Sequence, residues 1–543
     1  MGRKDIMNSQ AAEDKVGLYS ARGVVEDSVH GFIPLNEAEY RLLQTPFLRR
    51  LHNIKQLGMA FLVFPSARHS RLEHSLGAMH ISYLMAQKVV REAAKDSRIC
   101  GELFTKCEEG PFNNFVQLSR LVGLLHDIGH LAYSHMTEEA VAQAIRYGPE
   151  DALRVFNDVA GRGSKLHEAY GDAFLEELIR ALGEDAEASR FAGLEQLLEN
   201  ARAALSARDE CDESLAGELG LTCSAVRLAH EIISNEIADA DRLDYLLRDA
   251  QATGIVYGNI DLERLVHGLK LNVVEGRVTL GLDVKSLHTL EDVFDARYKM
   301  YRSVYFHHKI VAISKAVSHF IRSLANEWDG AAFPLYRDAR SFYDVVNPRS
   351  LAAAIRGDLY YFDDPELDMM TKICAKGGSG FRLAARWAKS LLDRRDLLPL
   401  SLMKRSEELV MTIASLLGES GAAGRPLSSV INEVFTHIEV NVPEIVKRLS
   451  NIVGDDVEVE TFRGSIIDVG TMGDSRLSVF RWQESPYLRG LILQGYSPVM
   501  LLYAYSDSED VHRKIRHHAE ELREATRSML VELVKEGLAS AKA

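Results

Sequence analysis

Two histidines and two aspartates in this 543-residue sequence lie in three motifs whose residue types suit divalent-metal chemistry. His74 lies in HSRLEHSLG, the pair His126 and Asp127 lies in LVGLLHDIGHLAYSH, and Asp241 lies in DADRLDYLLRD. Imidazole suits Fe, Zn, Ni or Mn, and the two carboxylates add negative charge that balances a dication. The sequence therefore predicts a metal site with open positions for water and a substrate phosphate.

The elements that must position these side chains are predicted to be helices. Apolar residues recur at three- and four-residue steps in Phe115–Leu125, Ala173–Leu182 and Ile232–Leu247. Residues four apart share one face of a helix, so His126 and His130 are expected to point the same way. The predicted fold class is accordingly mainly α.

Strand-like alternation is confined to a few segments. LKLNVVEGRVTLGL, residues 269–282, predicts a hairpin around Glu275 and Gly276, and Val457–Val469 and Pro498–Ala504 predict strands. We place a boundary near residue 330, with a mixed α+β C-terminal region over 331–543. The Ala- and Glu-rich stretch 183–218 is interpreted as an insertion, either a helical pair or a mobile excursion.

Composition narrows the class of protein. No run approaches the roughly 18 apolar residues of a membrane span, and the N-terminus lacks the apolar core of a signal peptide, so a cytoplasmic location is expected. Five cysteines without CxxC spacing predict neither a disulfide framework nor a cysteine zinc site. A net charge of −14 gives no general attraction to nucleic acid, although Arg41–Lys55 is locally basic.

The motifs together resemble one enzyme family. FPSARHSRLEHSLG, HDIGHLAYSH and DADRLDYLLRD resemble the HD-domain dNTP triphosphohydrolases, the sterile-alpha-motif/HD and dGTPase-like branch of the HD superfamily. The resemblance covers residues 25–330 and implies an HD-domain helical core there, after an N-terminal extension of residues 1–24. It implies hydrolysis of a dNTP to deoxynucleoside and inorganic triphosphate.

The resemblance also implies cofactors and assembly. His74, His126, Asp127 and Asp241 match the metal ligands of these enzymes, which hold one divalent ion. Mn is favoured over Fe, Mg or Ni, and a second ion could accompany the triphosphate. Family members commonly form dimers, tetramers or hexamers, so a homo-oligomer with dNTP as substrate is expected.

Catalytic roles are implied by position. His135 resembles the catalytic histidine near the scissile α-phosphate, where it would protonate the departing 5′-oxygen. Glu138 stands where the family often carries an aspartate that orients this histidine, and the extra methylene changes the geometry. The residues that resemble those gripping the phosphates are Arg71, His130, His167 and Arg242, the last in place of a family lysine.

Further positions resemble substrate contacts. Gln56 and Leu57 resemble the pair that reads the deoxyribose, and a leucine packed on the sugar would exclude a 2′-hydroxyl. Tyr245 and Asp249 resemble residues lining the sugar and triphosphate pocket. Residues resembling additional triphosphate and base contacts are Arg297, Tyr305 and His307.

Two other functions stay open at this point. A related HD phosphohydrolase could act on other nucleotide phosphoesters or on single-stranded nucleic acid, for which a basic groove with stacking aromatics is needed. The acidic composition does not favour nucleic acid. A third reading is an HD scaffold that binds a nucleotide without catalysis, and the complete set of four ligands with His135 argues against it.

Overall fold

A computed structural model describes most of the chain from residue 21 to residue 542. The residues it leaves undescribed inside this span are 161–164, 185–192, 207–210, 236–237, 259, 275, 378–379, 394–396, 418–426, 465–475, 478–479 and 482–498. The predicted N-terminal extension, residues 1–24, therefore lies largely outside the described residues. Within them, no helix is long and apolar enough to cross a membrane.

Helices make up most of the described residues, which confirms the mainly α fold class with an HD-domain helical core and a mixed α+β C-terminal region. The helices before residue 330 are α1 (Glu37–Gln44), α2 (Pro46–Arg49), α3 (Arg71–Ala93), α4 (Ser97–Leu103), α5 (Glu109–Leu125), α6 (His135–Arg146), α7 (Glu150–Ala160), α8 (Leu166–Glu184), α9 (Leu194–Leu205), α10 (Glu213–Glu218), α11 (Cys223–Ile233), α12 (Ala240–Thr253), α13 (Leu262–Gly268), α14 (Leu287–Met300) and α15 (His308–Asn326). Those after it are α16 (Phe342–Val345), α17 (Pro348–Arg356), α18 (Asp364–Ala375), α19 (Leu383–Leu392), α20 (Ser406–Leu417), α21 (Leu427–Val440), α22 (Val442–Val453), α23 (Glu509–His517) and α24 (Ala519–Lys542).

The strands form small antiparallel sheets. They are β1 (Ala21–Asp27), β2 (Gly31–Asn36), β3 (Leu269–Val274), β4 (Arg277–Leu282), β5 (Leu400–Ser401), β6 (Glu458–Gly464), β7 (Arg476–Leu477), β8 (Phe480–Arg481) and β9 (Val499–Tyr505). β3 pairs with β4 as the predicted hairpin, and Gly276 takes the positive φ of 80° that its turn requires. The two predicted C-terminal strands correspond to β6 and β9, which pair with each other in a sheet of order β5-β9-β6.

The described residues bury two main hydrophobic cores. The larger extends from Ile33 to Leu398, with Tyr505 added from the C-terminal sheet, and surrounds α3, α5 and α12. The smaller extends from Leu400 to Leu538. The change of core therefore falls near residue 399, whereas the boundary near residue 330 stays a prediction. The predicted insertion over 183–218 contains α9 and α10, and α9 packs its buried leucines into the larger core.

Two expectations about helix ends were wrong. The segment Ile232–Leu247 is not one helix, because α11 ends at Ile233 and α12 starts only at Ala240, where the Asp239 side chain caps the Arg242 amide. His126 and His130 do not share a helix face either. α5 ends at Leu125 with His126 as its C-cap, and a turn carries the chain to His130.

The cysteines pair, contrary to expectation. Each bond closes a short local loop, with sequence separations of 7 and 12, and the fifth cysteine, Cys374, is buried and free. The loops adjoin because Phe104 and Leu221 form an isolated antiparallel bridge, a tertiary contact that sequence spacing does not reveal. The disulfides join Cys100 to Cys107 and Cys211 to Cys223.

Acid should destabilise the C-terminal core through His512. Its ring is fully buried with Nε2 3.0 Å from the Leu398 carbonyl oxygen, and burial beside Arg386 and Arg516 lowers its pKa to about 3 from 6.5. Because the unfolded chain binds the proton first, stability falls as the pH drops from about 6.5 towards 3. Urea unfolding should show a loss of about 2 kcal/mol at pH 5 relative to pH 7 from this residue.

The matched variant for this prediction is His512→Gln, which can still donate a hydrogen bond to the Leu398 carbonyl oxygen and does not titrate. Its stability loss between pH 7 and pH 5 should be smaller than that of the wild type by about 2 kcal/mol. The same pH dependence in both proteins would contradict the assignment.

Candidate metal centre and active site

The four predicted metal ligands converge on one point. Nε2 of His74, on α3, lies 3.2 Å from Nε2 of His126 at the end of α5. The Asp127 carboxylate lies 3.5 Å from His74 Nε2 and 3.4 Å from His126 Nε2. Asp241, on α12, places Oδ1 3.0 Å from His74 Nε2 and 3.7 Å from His126 Nε2. The donor atoms of His74, His126 and Asp127 all lie within 4.8 Å of one another and could hold one cation, and the Asp241 carboxylate adjoins both imidazoles.

The hydrogen bonds of the two imidazoles fit a bound metal ion. His74 Nδ1 lies 2.7 Å from Asp244 Oδ2, and His126 Nδ1 lies 2.9 Å from the Gly123 carbonyl oxygen. Both acceptors favour the tautomer with the proton on Nδ1, so the two Nε2 lone pairs face each other across 3.2 Å. Such an arrangement is unfavourable unless a cation or a proton lies between the nitrogens.

Charge at the centre also favours a cation. Burial would raise the pKa of the Asp127 carboxyl, but the charge of Arg71 holds it well below its usual range. Burial likewise opposes the lowering of the Asp241 pKa by hydrogen bonds from His126 and His74. Without a cation, burial would lower the pKa of His74, but hydrogen bonds to Asp241 and Asp244 raise it to about 10. A metal ion therefore has to displace a proton from His74.

A buried network that the sequence analysis did not assign supports His74. Asp244 accepts from Arg248 Nε at 2.9 Å and lies 2.6 Å from His30 Nε2 through Oδ1. Arg248 also donates to Asp27 at 2.8 Å. The Asp244 carboxylate is therefore held both by His30, in the turn after β1, and by Arg248, on α12. Carboxylates that accept from a ligand's second nitrogen fix its orientation and raise its basicity.

Gly77 makes room for this network, and its replacement by alanine should weaken metal binding. A Cβ at Gly77 would overlap Asp244 Oδ1 and Arg248 Nη2. The displaced Asp244 would no longer hold His74, so we expect Mn affinity to fall about 10–100-fold, measured by calorimetry. Gly101→Ala is the control, because a Cβ there meets nothing within 4 Å. Equal Mn affinity in Gly77→Ala and the wild type would disprove the role.

A second cluster gathers three histidines around Glu138. Glu138 Oε1 lies 2.5 Å from His130 Nδ1, and Oε2 lies 3.1 Å from His135 Nδ1 and 3.3 Å from His167 Nδ1. The donor atoms lie close enough to hold an ion, but hydrogen bonds with Glu138 already account for all three nitrogens. The cluster joins the metal centre through His130 Nε2, 3.0 Å from Asp127 Oδ1.

The residues of the cluster around Glu138 differ in their pKa values and in their exposure. Burial would raise the pKa of the Glu138 carboxyl, but the charge of His130 and the hydrogen bonds from all three imidazoles hold it well below its usual range. Burial and the charge of His130 lower the pKa of His167 to about 4. His135 differs in position, because its side chain is 69% exposed while Glu138 is buried. It can therefore exchange a proton with a bound substrate.

Arg71 and a cavity complete the surroundings of the metal centre. Arg71 donates from Nη1 to Asp127 Oδ2 at 2.5 Å and from Nε to Ser134 Oγ at 2.9 Å. A cavity of about 130 Å³ borders three of the four predicted ligands. Its other charged or polar walls include Lys165, His167, Arg202 and His230. The centre is therefore open on one side, as catalytic metal sites are.

The predicted sugar residues lie on neighbouring segments. Gln56 is buried, and its backbone N–H donates to the His69 carbonyl oxygen at 3.0 Å. Its side-chain Oε1 has no hydrogen-bond partner among the described residues. Asp249 lies 2.7 Å from His69 Nε2 and accepts from Tyr305 Oη at 2.7 Å. Leu57 is partly buried against the larger core. His69 lies in the first motif of the sequence, but it was not predicted to be a site residue.

The other residues predicted to bind substrate are described by a few contacts each. Arg242 is paired with Asp239, but its Nε and Nη1 are buried without a partner among the described residues. The Tyr245 and Tyr305 rings lie 6.2 Å apart, and Arg297 lies over the Tyr301 ring at 5.4 Å. In the described part of the chain, Arg297 and His307 form no hydrogen bond or ion pair with the four predicted metal ligands or with the cluster around Glu138. Their roles stay predictions.

Comparison with known proteins identifies the domain that contains the site. Residues 71–249 match the HD domain family, and this span contains all four predicted ligands. A phosphohydrolase from Bacteroides thetaiotaomicron shares the fold, with a TM-score of 0.57, 19% identity, and coverage of 90% of this chain and 100% of that one. The chain thus contains an HD domain and shares its overall fold with that protein.

Two curated proteins are similar to part of the chain. It is 30% identical over 284 residues to an uncharacterized protein of Methanocaldococcus jannaschii, covering 52% of this chain and 46% of that protein. It is 27% identical over 358 residues to the deoxynucleoside triphosphate triphosphohydrolase SAMHD1 of Homo sapiens, covering 63% of this chain and 51% of that enzyme. The chain therefore contains an HD domain over residues 71–249 and is similar in sequence to deoxynucleoside triphosphate triphosphohydrolases. It spans about half the length of these two relatives.

Proposed function

We propose that this protein hydrolyses deoxynucleoside triphosphates to deoxynucleoside and inorganic triphosphate. One observation carries the proposal: the metal quartet shares Asp127 with a histidine–carboxylate cluster in which His135 alone is exposed. The candidate cation-binding group and the candidate proton donor are therefore linked through His130 and Glu138 in one hydrogen-bonded network. The relationship to the SAMHD1 enzymes supports the choice of a dNTP.

The proposed metal ligands are His74, His126, Asp127 and Asp241. A divalent cation bound there supplies Lewis acidity and lowers the pKa of water, which makes hydroxide available at neutral pH. Mn is the ion we favour, and a second ion could enter with the triphosphate. A homo-oligomer remains part of the proposal on the strength of the family resemblance, and a cytoplasmic location remains the expectation drawn from composition.

The side chains of this chain perform the remaining steps. Arg71 and His130 counter the charge that develops on the phosphate oxygens, and both already face Asp127. His135 gives its proton to the departing 5′-oxygen as general acid. Glu138 accepts from Nδ1 of His135, so the other ring nitrogen can face the substrate.

Sugar selection is assigned to the residues beside the centre. Gln56 and Leu57 form one wall, while Asp249 and Tyr305 form a hydrogen-bonded pair on the other segment. A leucine against the sugar leaves no room for a 2′-hydroxyl, so ribonucleotides should be poor substrates. Arg242, with two buried donors free of partners among the described residues, is positioned to bind a phosphate oxygen.

Hydrolysis of nucleic acid is less well supported than hydrolysis of a nucleotide. Basic side chains of the segment Arg41–Lys55 are paired with other groups of the same chain. Arg49 pairs with Asp358 at 2.7 Å, and Lys55 pairs with Asp364 at 2.9 Å. Arg50 is buried and donates to the carbonyl oxygens of Ile128 and His130. Because these basic groups are paired with carboxylates or buried, the segment is a poor match for the open basic groove that a single strand needs.

The test is incubation of the purified protein with each dNTP and NTP in Mn or Mg, in water enriched in ¹⁸O, followed by chromatography and mass spectrometry. The proposal expects a deoxynucleoside and a triphosphate that carries the label, because water attacks the α-phosphorus. Release of a nucleoside monophosphate and pyrophosphate would indicate another phosphohydrolase. Binding without consumption of any nucleotide would indicate a non-catalytic scaffold.

A further inference from the structure

The chain just before His135 adopts a conformation that residues other than glycine rarely take. Tyr133 and Ser134 both have a φ of 54°, in the left-handed region. Residues in such regions persist only when the surrounding structure holds them there. Because α6 starts at His135, the geometry of this pair sets the direction in which the proposed general acid emerges.

A buried carboxylate from α18 holds this segment. Asp364 Oδ1 accepts from the Tyr133 amide nitrogen at 2.6 Å. Its Oδ2 accepts from the amide nitrogen and from Nζ of Lys55, at 3.1 and 2.9 Å. The Asp364 side chain is completely buried, so no water competes for these hydrogen bonds.

Further contacts tie the same two segments together. Ser134 Oγ donates to the Lys55 carbonyl oxygen at 2.9 Å and accepts from Arg71 Nε at 2.9 Å. The Ala132 amide donates to the Phe362 carbonyl oxygen at 3.0 Å, two residues before Asp364. Lys55 directly precedes Gln56, so one clamp holds both the histidine segment and the segment assigned to the sugar.

We propose that Asp364 is a positioning residue, which sets His135 against the 5′-oxygen and sets Gln56 and Leu57 against the deoxyribose. The inference rests on the proposed function. A salt bridge with Lys55 would be enough to accommodate a buried carboxylate, yet Asp364 also accepts from two backbone amides, one on each segment. Its role therefore exceeds the neutralisation of a charge.

The experiment compares Asp364→Asn with the wild type at a temperature where both are folded. The amide can accept on one side only, and its NH₂ opposes a donor on the other, so the two segments should separate. We expect kcat for dNTP to fall about 10–100-fold, because small misplacements of reacting groups have effects of this size. The preference for dNTP over NTP should also fall, while Mn content stays unchanged.

Asp363→Asn is the matched control. Asp363 is the adjacent N-cap on the same helix, is also buried, and binds Asn53 and the Glu366 amide instead of the 132–135 segment. It should retain wild-type kcat and dNTP preference. If Asp364→Asn does not fold, Lys55→Met replaces it, with a smaller fall in both quantities expected.

Two results would overturn the inference, and they are distinguishable. If the wild type consumes dNTPs and Asp364→Asn keeps kcat and dNTP preference within twofold, Asp364 is only a structural residue. If the wild type consumes no dNTP, the proposed function fails and the inference fails with it. A fall in melting temperature alone, shared with Asp363→Asn, would also count against a positioning role.

Discussion

Replacing both His126 and Asp127 by alanine should remove metal binding and reduce dNTP turnover to background. The two residues supply half of the proposed ligand set, and Asp127 also contacts His130 and Arg71. Loss of the cation removes several kcal/mol of transition-state stabilisation, which corresponds to a fall in kcat on the order of 10⁴-fold or more. Metal content by plasma mass spectrometry and product release by chromatography measure the two effects separately.

A single isosteric change keeps this prediction testable if the double variant does not fold. Asp127→Asn preserves the volume but removes the negative charge that faces His74, His126 and Arg71, so Mn affinity and turnover should both fall. Asp295→Asn is the control, because Asp295 lies on helix α14 outside the proposed site and forms its ion pair with Lys299. Turnover by Asp127→Asn at the wild-type rate would exclude this centre as the site of the reaction.

The four candidate ligands could be named from the sequence because each lies in a motif that is short and local, and their role stays a prediction. A histidine on an apolar helix, an adjacent His-Asp pair and an aspartate in a charged helical segment are visible without knowledge of the fold. The geometry of the second motif was nevertheless misjudged. The helix ends at Leu125, so His130 reaches Asp127 through a turn rather than along a helical face.

The residues that orient the ligands could not be predicted in the same way, because their contacts join distant parts of the chain. His30 and Asp244 are 214 residues apart, and Tyr133 and Asp364 are 231 residues apart. Neither distance leaves a periodic or spacing signal in a single sequence. Gly77 carried a weak signal, since a glycine in the middle of a helix lowers stability unless something packs against it.

Replacing Glu138 by glutamine should have the second-largest effect on turnover. The carboxylate accepts from Nδ1 of three imidazoles, whereas an amide offers one acceptor and adds a donor that opposes an Nδ1 proton. His135 would lose its tautomer and orientation, and we expect kcat to fall about 10²–10⁴-fold, the range for general acid catalysis. KM should change less, because the metal ligands and the sugar wall are untouched.

The pH profile distinguishes this role from a loss of folding. Although the side chain of His135 is 69% exposed, partial desolvation by its neighbours lowers its pKa, and the hydrogen bond and charge of Glu138 oppose that shift. Without the carboxylate the pKa of His135 falls further, so the decline of kcat on the alkaline side should begin at a lower pH.

Glu138→Asp supplies the graded comparison for this prediction. Its carboxylate, shorter by one methylene, cannot reach all three rings at their present distances, but it keeps the charge. A smaller fall in kcat with an unshifted alkaline limb is expected for this variant. If Glu138→Gln shows the wild-type kcat, or a lower kcat with an unmoved alkaline limb, His135 is not the proton donor that Glu138 controls.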